Sequence, residues 1–182
     1  MKKEETKIVD NLSVVVPVYN DQEVLQELYR RLNPVVESLA THYEIVLVDD
    51  GSKDHSWDEI MKLREADDHI VAVKLARNFG QQNSIAAGLN VAKGEIIVLM
   101  DSDLQDRPED IPVLINTLLK SGTQMAIAQW QTRQDTWAKR TVSNIFNRVS
   151  NTITAIHIEP HLGVFRAIRR SVVDELKKFP EK

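Results

Sequence analysis

Residues 43–54 read YEIVLVDDGSKD. A short apolar run ends at Val48, two adjacent carboxylates follow, and Gly51-Ser52 then turns the chain. Such a run is a strand covered on both faces, as in a parallel sheet. Two acids at its end call for an explanation. One of them suits an Asx turn before a helix. The other suits hydrogen bonds to a ligand.

Working outward, strand-like and helix-like segments alternate. Leu12–Val18 and Glu44–Val48 read as strands, followed by Ile70–Leu75, Glu95–Met100 and a weak Met125–Ala128. Between them, helical spacing covers Asp21–Leu39, Ser56–Arg64, Gln81–Ala92 and Pro108–Lys120. Asn20 and Glu23 read as a capping box for the first helix. Gly94 reads as the stop after the third. Trp137–Ile153 carries a further apolar stripe, read as a core-facing helix or a lipid contact. The alternation implies an α/β fold, with a mostly parallel central sheet and helices on both faces. A chain of 182 residues without a low-complexity linker reads as one domain over 1–182, with 1–11 as a disordered tail.

Composition removes several classes of function. There is no cysteine, so disulfides and thiolate metal sites are excluded. The five histidines, His42, His55, His69, His157 and His161, show no metal-ligand spacing. No apolar run reaches the roughly 20 residues that a membrane span needs, and the chain reads as soluble. The net charge of −4 hides an asymmetry: residues 1–132 carry −9 and residues 133–182 carry +5. The basic end suits phosphates or an anionic membrane surface.

In open α/β sheets, ligands sit at the carboxyl ends of the strands. Three of these ends are unusual: Pro17-Val-Tyr19-Asn20-Asp21, Asp49-Asp50-Gly51-Ser52 and Asp101-Ser102-Asp103-Leu-Gln105-Asp106. On one rim their carboxylates would repel one another, which a divalent cation or ligand donors would relieve. Asp101, Asp103 and the amide oxygen of Gln105 offer an all-oxygen site for Mg²⁺ or Mn²⁺. Tyr19 reads equally as a base-stacking ring or a core aromatic. Arg77 is a donor for a phosphate, and Gly80 before a helix lets amides approach an anion. A dinucleotide-binding fold would need G-x-G-x-x-G after the first strand; PVYNDQ has no glycine. A phospho-receiver regulator would carry its acid pair after strand one, whereas here the pair follows strand two.

PVYN, VDDGS, ARNFGQQ and MDSDLQD, in this order and at these spacings, resemble the inverting family 2 glycosyltransferases. Within them the likeness is to the polyprenyl-phosphate sugar transferases, the dolichol-phosphate mannose synthase type. It runs from about Leu12 to Glu181. The resemblance implies a GT-A nucleotide-diphospho-sugar transferase fold. It implies a hexosyltransferase that moves a sugar, with inversion and a divalent metal (Mg or Mn), from a UDP- or GDP-linked donor to a polyprenyl phosphate. By matching positions, Pro17, Tyr19, Asp21, Val48, Asp49, Asp50, Arg77, Asp101, Ser102, Asp103 and Arg133 would hold the nucleotide sugar. Asp101, Asp103 and Gln105 would meet the metal, with Asp101 and Asp103 catalytic. Arg133 and Arg166, the latter in Phe165-Arg166, would meet the acceptor phosphate. Relatives continue past the Phe-Pro-Glu-Lys end, so a C-terminal acceptor or membrane part is expected to be missing. A cytoplasmic enzyme at the membrane face is implied, with peripheral membrane contact, no nucleic acid and homo-oligomerisation left open. The alternatives are a nucleotide-sugar-binding module of the same fold without transfer activity, and a transferase that acts on a saccharide hydroxyl.

Overall fold

The computed structural model describes residues 7–129 and 162–178. The chain divides into two compact units, Met1–Ala126 with Val164–Lys182, and Ile127–Gly163, where one domain is the expectation from the sequence. Nearly all described residues belong to the first unit. The stripe at Trp137–Ile153, Arg133, His157 and His161 lie outside the described residues.

The elements are β1 (Val9–Val18), α1 (Leu25–Leu39), β2 (Ala40–Asp49), α2 (Ser56–Ala66), β3 (Ile70–Lys74), α3 (Gln81–Val91) and β4 (Ile96–Leu99). A 3₁₀ turn (Pro108–Asp110), α4 (Ile111–Ser121), β5 (Met125–Gln129), β6 (Leu162–Arg169) and α5 (Arg170–Leu176) follow. The strand order is β3-β2-β1-β4-β6-β5. β1 pairs in parallel with both β2 and β4, and β2 with β3. β6 runs antiparallel to β4, so the sheet is mixed and mostly parallel. β6 is the one strand among these that the apolar periodicity did not announce.

β1 lies between two strands and is buried from Leu12 to Val18. Successive side chains alternate between faces. Val15, Val46, Val48, Ile97 and Leu99 pack with Ile85 of α3 and Val173 of α5. The alternate residues Val14, Val16, Ile45 and Leu47 are equally buried, on the side where α1 and α2 meet the sheet. Leu25, Leu28, Leu32 and Val36 form the buried stripe of α1.

Three local expectations are corrected. β1 begins at Val9, inside the segment read as a tail, because residues 9–16 find a parallel partner in 40–47. α1 begins at Leu25 with no side-chain cap. Asn20 cannot act as its cap because it is left-handed (φ 57°) and its Oδ1 accepts from Lys53 N (2.8 Å). Gly94 is not the helix stop. Ala92 is the C-cap of α3, and the carbonyls of Ala92 and Gly94 accept from the Arg170 guanidinium at 2.7 Å, a cation suited to a helix C-terminus. Gly94 is required by close approach instead. A Cβ there would meet Ser13 N and lie 2.7 Å from Leu12 C and 2.8 Å from Ile96 O.

Gly94→Ala is therefore expected to push this crossing apart and to weaken the 2.7 Å bond from Gly94 N to buried Ser13 Oγ. Overpacking of this kind costs about 1–3 kcal/mol, or roughly 3–10 °C in Tm for a chain of this size. A thermal melt of Gly94→Ala beside the parent checks it. A second expectation concerns pH. Arg31 donates twice to Glu109 (2.8 and 2.6 Å), tying α1 to the 3₁₀ turn before α4. The Arg31 hydrogen bond is the main cause that pulls the Glu109 carboxyl down to about 2. Its folded pKa is thus below the unfolded value of about 4.3. The stabilisation is present above that value and lost as pH falls through about 2. The stability gap between parent and Glu109→Gln should be small at pH 7, since the pair is partly solvated, and should close towards pH 2 in paired urea melts.

Candidate active site

Parallel pairing sets the rim. Val18 lies opposite Asp49, and Val15 opposite Leu99, so the chains leaving β1, β2 and β4 emerge side by side. They enclose a cleft of about 330 Å³. Its walls are Pro17, Val18, Tyr19 and Asp21 after β1, Asp50 after β2, and Asp101, Ser102 and Asp103 after β4. Asn78, Gly80, Gln81 and Ser84 close it from the start of α3. The cleft thus gathers Pro17, Tyr19, Asp21, Asp50, Asp101, Ser102 and Asp103 of the expected site. Tyr19 is 39% exposed, a rim ring and not a core aromatic.

The pair in VDDGS divides its work. Asp49 is fully buried, and its Oδ1 accepts from Ser52 N (3.2 Å). This is the expected turn. Its Oδ2 is the buried side-chain oxygen without a hydrogen-bond partner among the described residues, and such an acceptor costs about 1–3 kcal/mol if left unmet. Asp50 accepts from Phe79 N (2.8 Å) on one oxygen and Gly80 N (2.9 Å) on the other. It therefore fastens the loop after β3 to the end of β2. Gly51, at φ 67°, makes room for this: a Cβ there would lie 2.5 Å from Arg77 C and 2.7 Å from Asn78 N. Gly80, at φ 91°, then caps α3, and the positive end of that helix lies beside Asp50 and Asp101.

The Asp101-Ser102-Asp103 segment is held from both sides. Asp101 Oδ1 accepts from Gln81 Nε2 (2.6 Å), and its own N–H donates to Asp106 Oδ2 (3.0 Å). Asp103 Oδ1 accepts from Gln105 N (3.0 Å), closing a tight turn over Leu104, which is left-handed at φ 62°. Ser102 Oγ donates to Asp21 Oδ2 (2.5 Å).

Other expected residues lie elsewhere. Val48 and Asp49 are buried behind the rim and do not line the cleft. Arg77 is exposed and sits over the Phe79 ring, 4.8 Å from its centre, where the two form a cation–π pair. Gln105 is exposed, outside the cleft lining. Phe165 is core, 2% exposed, and Arg166 is half-buried opposite Leu99, its Nε donating to Val164 O (3.0 Å). Sequence reasoning missed Asn78, Gln81 and Ser84 as cleft residues. The Gly80-Gln-Gln start of a helix was the available signal for Gln81.

Among the described residues, no group of three or more His, Asp or Glu could hold a metal by itself. Asp101 and Asp103 offer carboxylate oxygens at the cleft. That donor set fits a hard divalent cation which takes its remaining ligands from a phosphate-bearing partner.

Residues 13–177 match the family model described as glycosyl transferase family 2. Among solved structures, the chain is similar to glucosyl-3-phosphoglycerate synthase from Mycobacterium tuberculosis in complex with Mn²⁺, UDP-glucose and phosphoglyceric acid. The TM-score is 0.66 at 19% identity, covering 90% of this chain and 57% of that one. It is similar to the mannosyltransferase PcManGT from Pyrobaculum calidifontis in complex with GDP-mannose and Mn²⁺ (0.61, 20%, 93% and 47%), and to S. aureus TarS 1–349 (0.62, 20%, 94% and 51%). The chain therefore spans about half the length of these structures and shares their GT-A fold. With the acidic rim, the fold and the match over residues 13–177 together, the chain belongs to glycosyl transferase family 2.

Proposed function

We propose that this chain is the catalytic domain of a glycosyltransferase that moves a hexose from a nucleotide diphosphate to a polyprenyl phosphate with inversion. The observation that carries the reading is the convergence of Tyr19, Asp50, Asp101 and Asp103 on one cleft at the carboxyl ends of β1, β2 and β4. Tyr19 offers an exposed ring face for a base. Each Asp50 oxygen keeps acceptor capacity beyond its one backbone amide, enough to take an N–H or O–H of the nucleoside. Asp49 Oδ2, buried behind the rim, is an acceptor that an ordered water would satisfy.

Asp101 and Asp103 would hold a divalent cation, which when bound neutralises charge on the leaving diphosphate. The amide groups at the start of α3, where Gly80 and Gln81 line the cleft, would favour the same polyanion. Arg77, released from Phe79, and Arg133 would add donors for phosphate oxygens. Arg133 and Arg166 would serve the acceptor phosphate. A phosphate acceptor is already ionised at pH 7, so no general base is needed, whereas a saccharide hydroxyl would need a positioned carboxylate. The likeness of ARNFGQQ and MDSDLQD to the polyprenyl-phosphate branch supports the phosphate. Among the described residues, no helix is long and apolar enough to cross a membrane, so contact with the lipid would be peripheral there.

A thermal-shift panel of UDP, GDP and CMP with and without Mn²⁺ tests the donor site. A nucleotide at 100 times its Kd should add about 2.7 kcal/mol, roughly 5–11 °C here. The shift should require Mn²⁺ and vanish in Asp103→Asn. No shift with any nucleotide on folded protein would overturn the reading. Incubating the matching nucleotide sugar with a short polyprenyl phosphate or a free saccharide then separates the acceptors: product on the phosphate alone is expected, and product on the saccharide alone refutes that choice.

A further inference from the structure

One line of hydrogen bonds crosses three loops of the rim and begins outside the cleft. Asp54 Oδ1 accepts from Ser56 Oγ (2.6 Å) and Ser56 N (3.0 Å). Ser56 Oγ accepts from Asp21 N (2.9 Å). Asp21 Oδ2 accepts from Ser102 Oγ (2.5 Å), and Ser102 stands between Asp101 and Asp103. The direction is dictated at each step. A hydroxyl has one proton; Ser56 gives its proton to Asp54 and so presents a lone pair to Asp21 N–H. Ser102 gives its proton to the Asp21 carboxylate. Ser56 is fully buried and Ser102 is 5% exposed, so water competes poorly for either.

The loops are laced on both sides of this line. Asn20 N donates to Ser52 Oγ (3.0 Å) and Gln22 N to Asp54 Oδ2 (3.2 Å). In the other direction, Lys53 N donates to Asn20 Oδ1 (2.8 Å) and His55 N to Gln22 Oε1 (2.8 Å). Burial alone would raise the Asp54 carboxyl; the hydrogen bonds from Ser56 and Gln22 outweigh it and hold the pKa below the ordinary value. Neither Asp54 nor Ser56 lines the cleft. The segment at the far end carries a left-handed leucine, Leu104, a conformation that persists only when its surroundings hold it.

We propose that Asp54 and Ser56 are positioning residues for the donor site, acting through Asp21 and Ser102 to fix the Asp101-Ser102-Asp103 segment. This rests on the reading of that segment as the donor-phosphate site. A staple that merely joined the first two loops would leave the third unaffected, and that difference can be measured.

The test uses Asp54→Asn, Ser56→Ala, Ser102→Ala and the Ser56→Ala/Ser102→Ala double variant, each confirmed folded by circular dichroism. Without ligand, hydrogen exchange of peptides covering residues 97–106 should quicken about fivefold in Asp54→Asn and Ser56→Ala, the effect of losing one net hydrogen bond, while α4 is unchanged. With Mn²⁺ and the nucleoside diphosphate that the parent binds, Ser56→Ala and Ser102→Ala should each raise Kd about fivefold. The double variant should be no weaker than the worse single one, because they interrupt one line. Unchanged exchange at 97–106, effects on Kd that multiply, or a lower Tm with Kd intact would each overturn the positioning role alone. A parent that binds neither UDP nor GDP would instead overturn the donor-site reading and this role with it.

Discussion

Everything at the rim depends on the parallel pairing of β1 with β2 and β4. That pairing places three acidic strand ends side by side, and like charges at such spacing repel. Donors from neighbouring loops meet them. Asp49 takes Ser52 N–H, Asp50 takes the Phe79 and Gly80 amides, Asp54 takes Gln22 and Ser56, and Asp103 takes Gln105 N–H. Asp21 takes Ser102 Oγ, and Asp101 takes the Gln81 side-chain amide. These donors orient the carboxylates along the rim.

Five of the six described strands were legible because a two-sided sheet imposes a continuous apolar pattern. VDDGS and DSDLQD pointed to the candidate cleft because carboxylates crowded at the ends of buried strands repel unless donors or a cation meet them. The helix start at Asn20 was misread for a physical reason. A capping box and a loop-to-loop bond use the same residue types, and only the three-dimensional neighbour, Lys53 N–H, decides between them. β6 escaped because its eight residues, Leu162–Arg169, carry two arginines within an otherwise apolar run.

The site itself was legible as a set of acids and illegible as a set of bonds. Asp50 looked like a ligand-facing group, and it lines the cleft. That it also holds the loop after β3 depends on Gly51 passing within contact of Arg77 backbone atoms, 26 positions further along the chain. Arg77 was expected among phosphate donors, yet its guanidinium rests on Phe79, two residues away. Charge alone could not reveal this preference for a neighbouring ring.

The amides that Asp50 holds belong to the segment that follows β3 at the sheet edge. The cleft therefore cannot be complete in any partly folded form that lacks β3 and the start of α3. Edge elements also open more readily than central ones, and β3 is the outermost strand on that side. The cleft is thus tied to an edge of the sheet, and a partial opening there would remove one of its walls while the hydrophobic centre stayed intact.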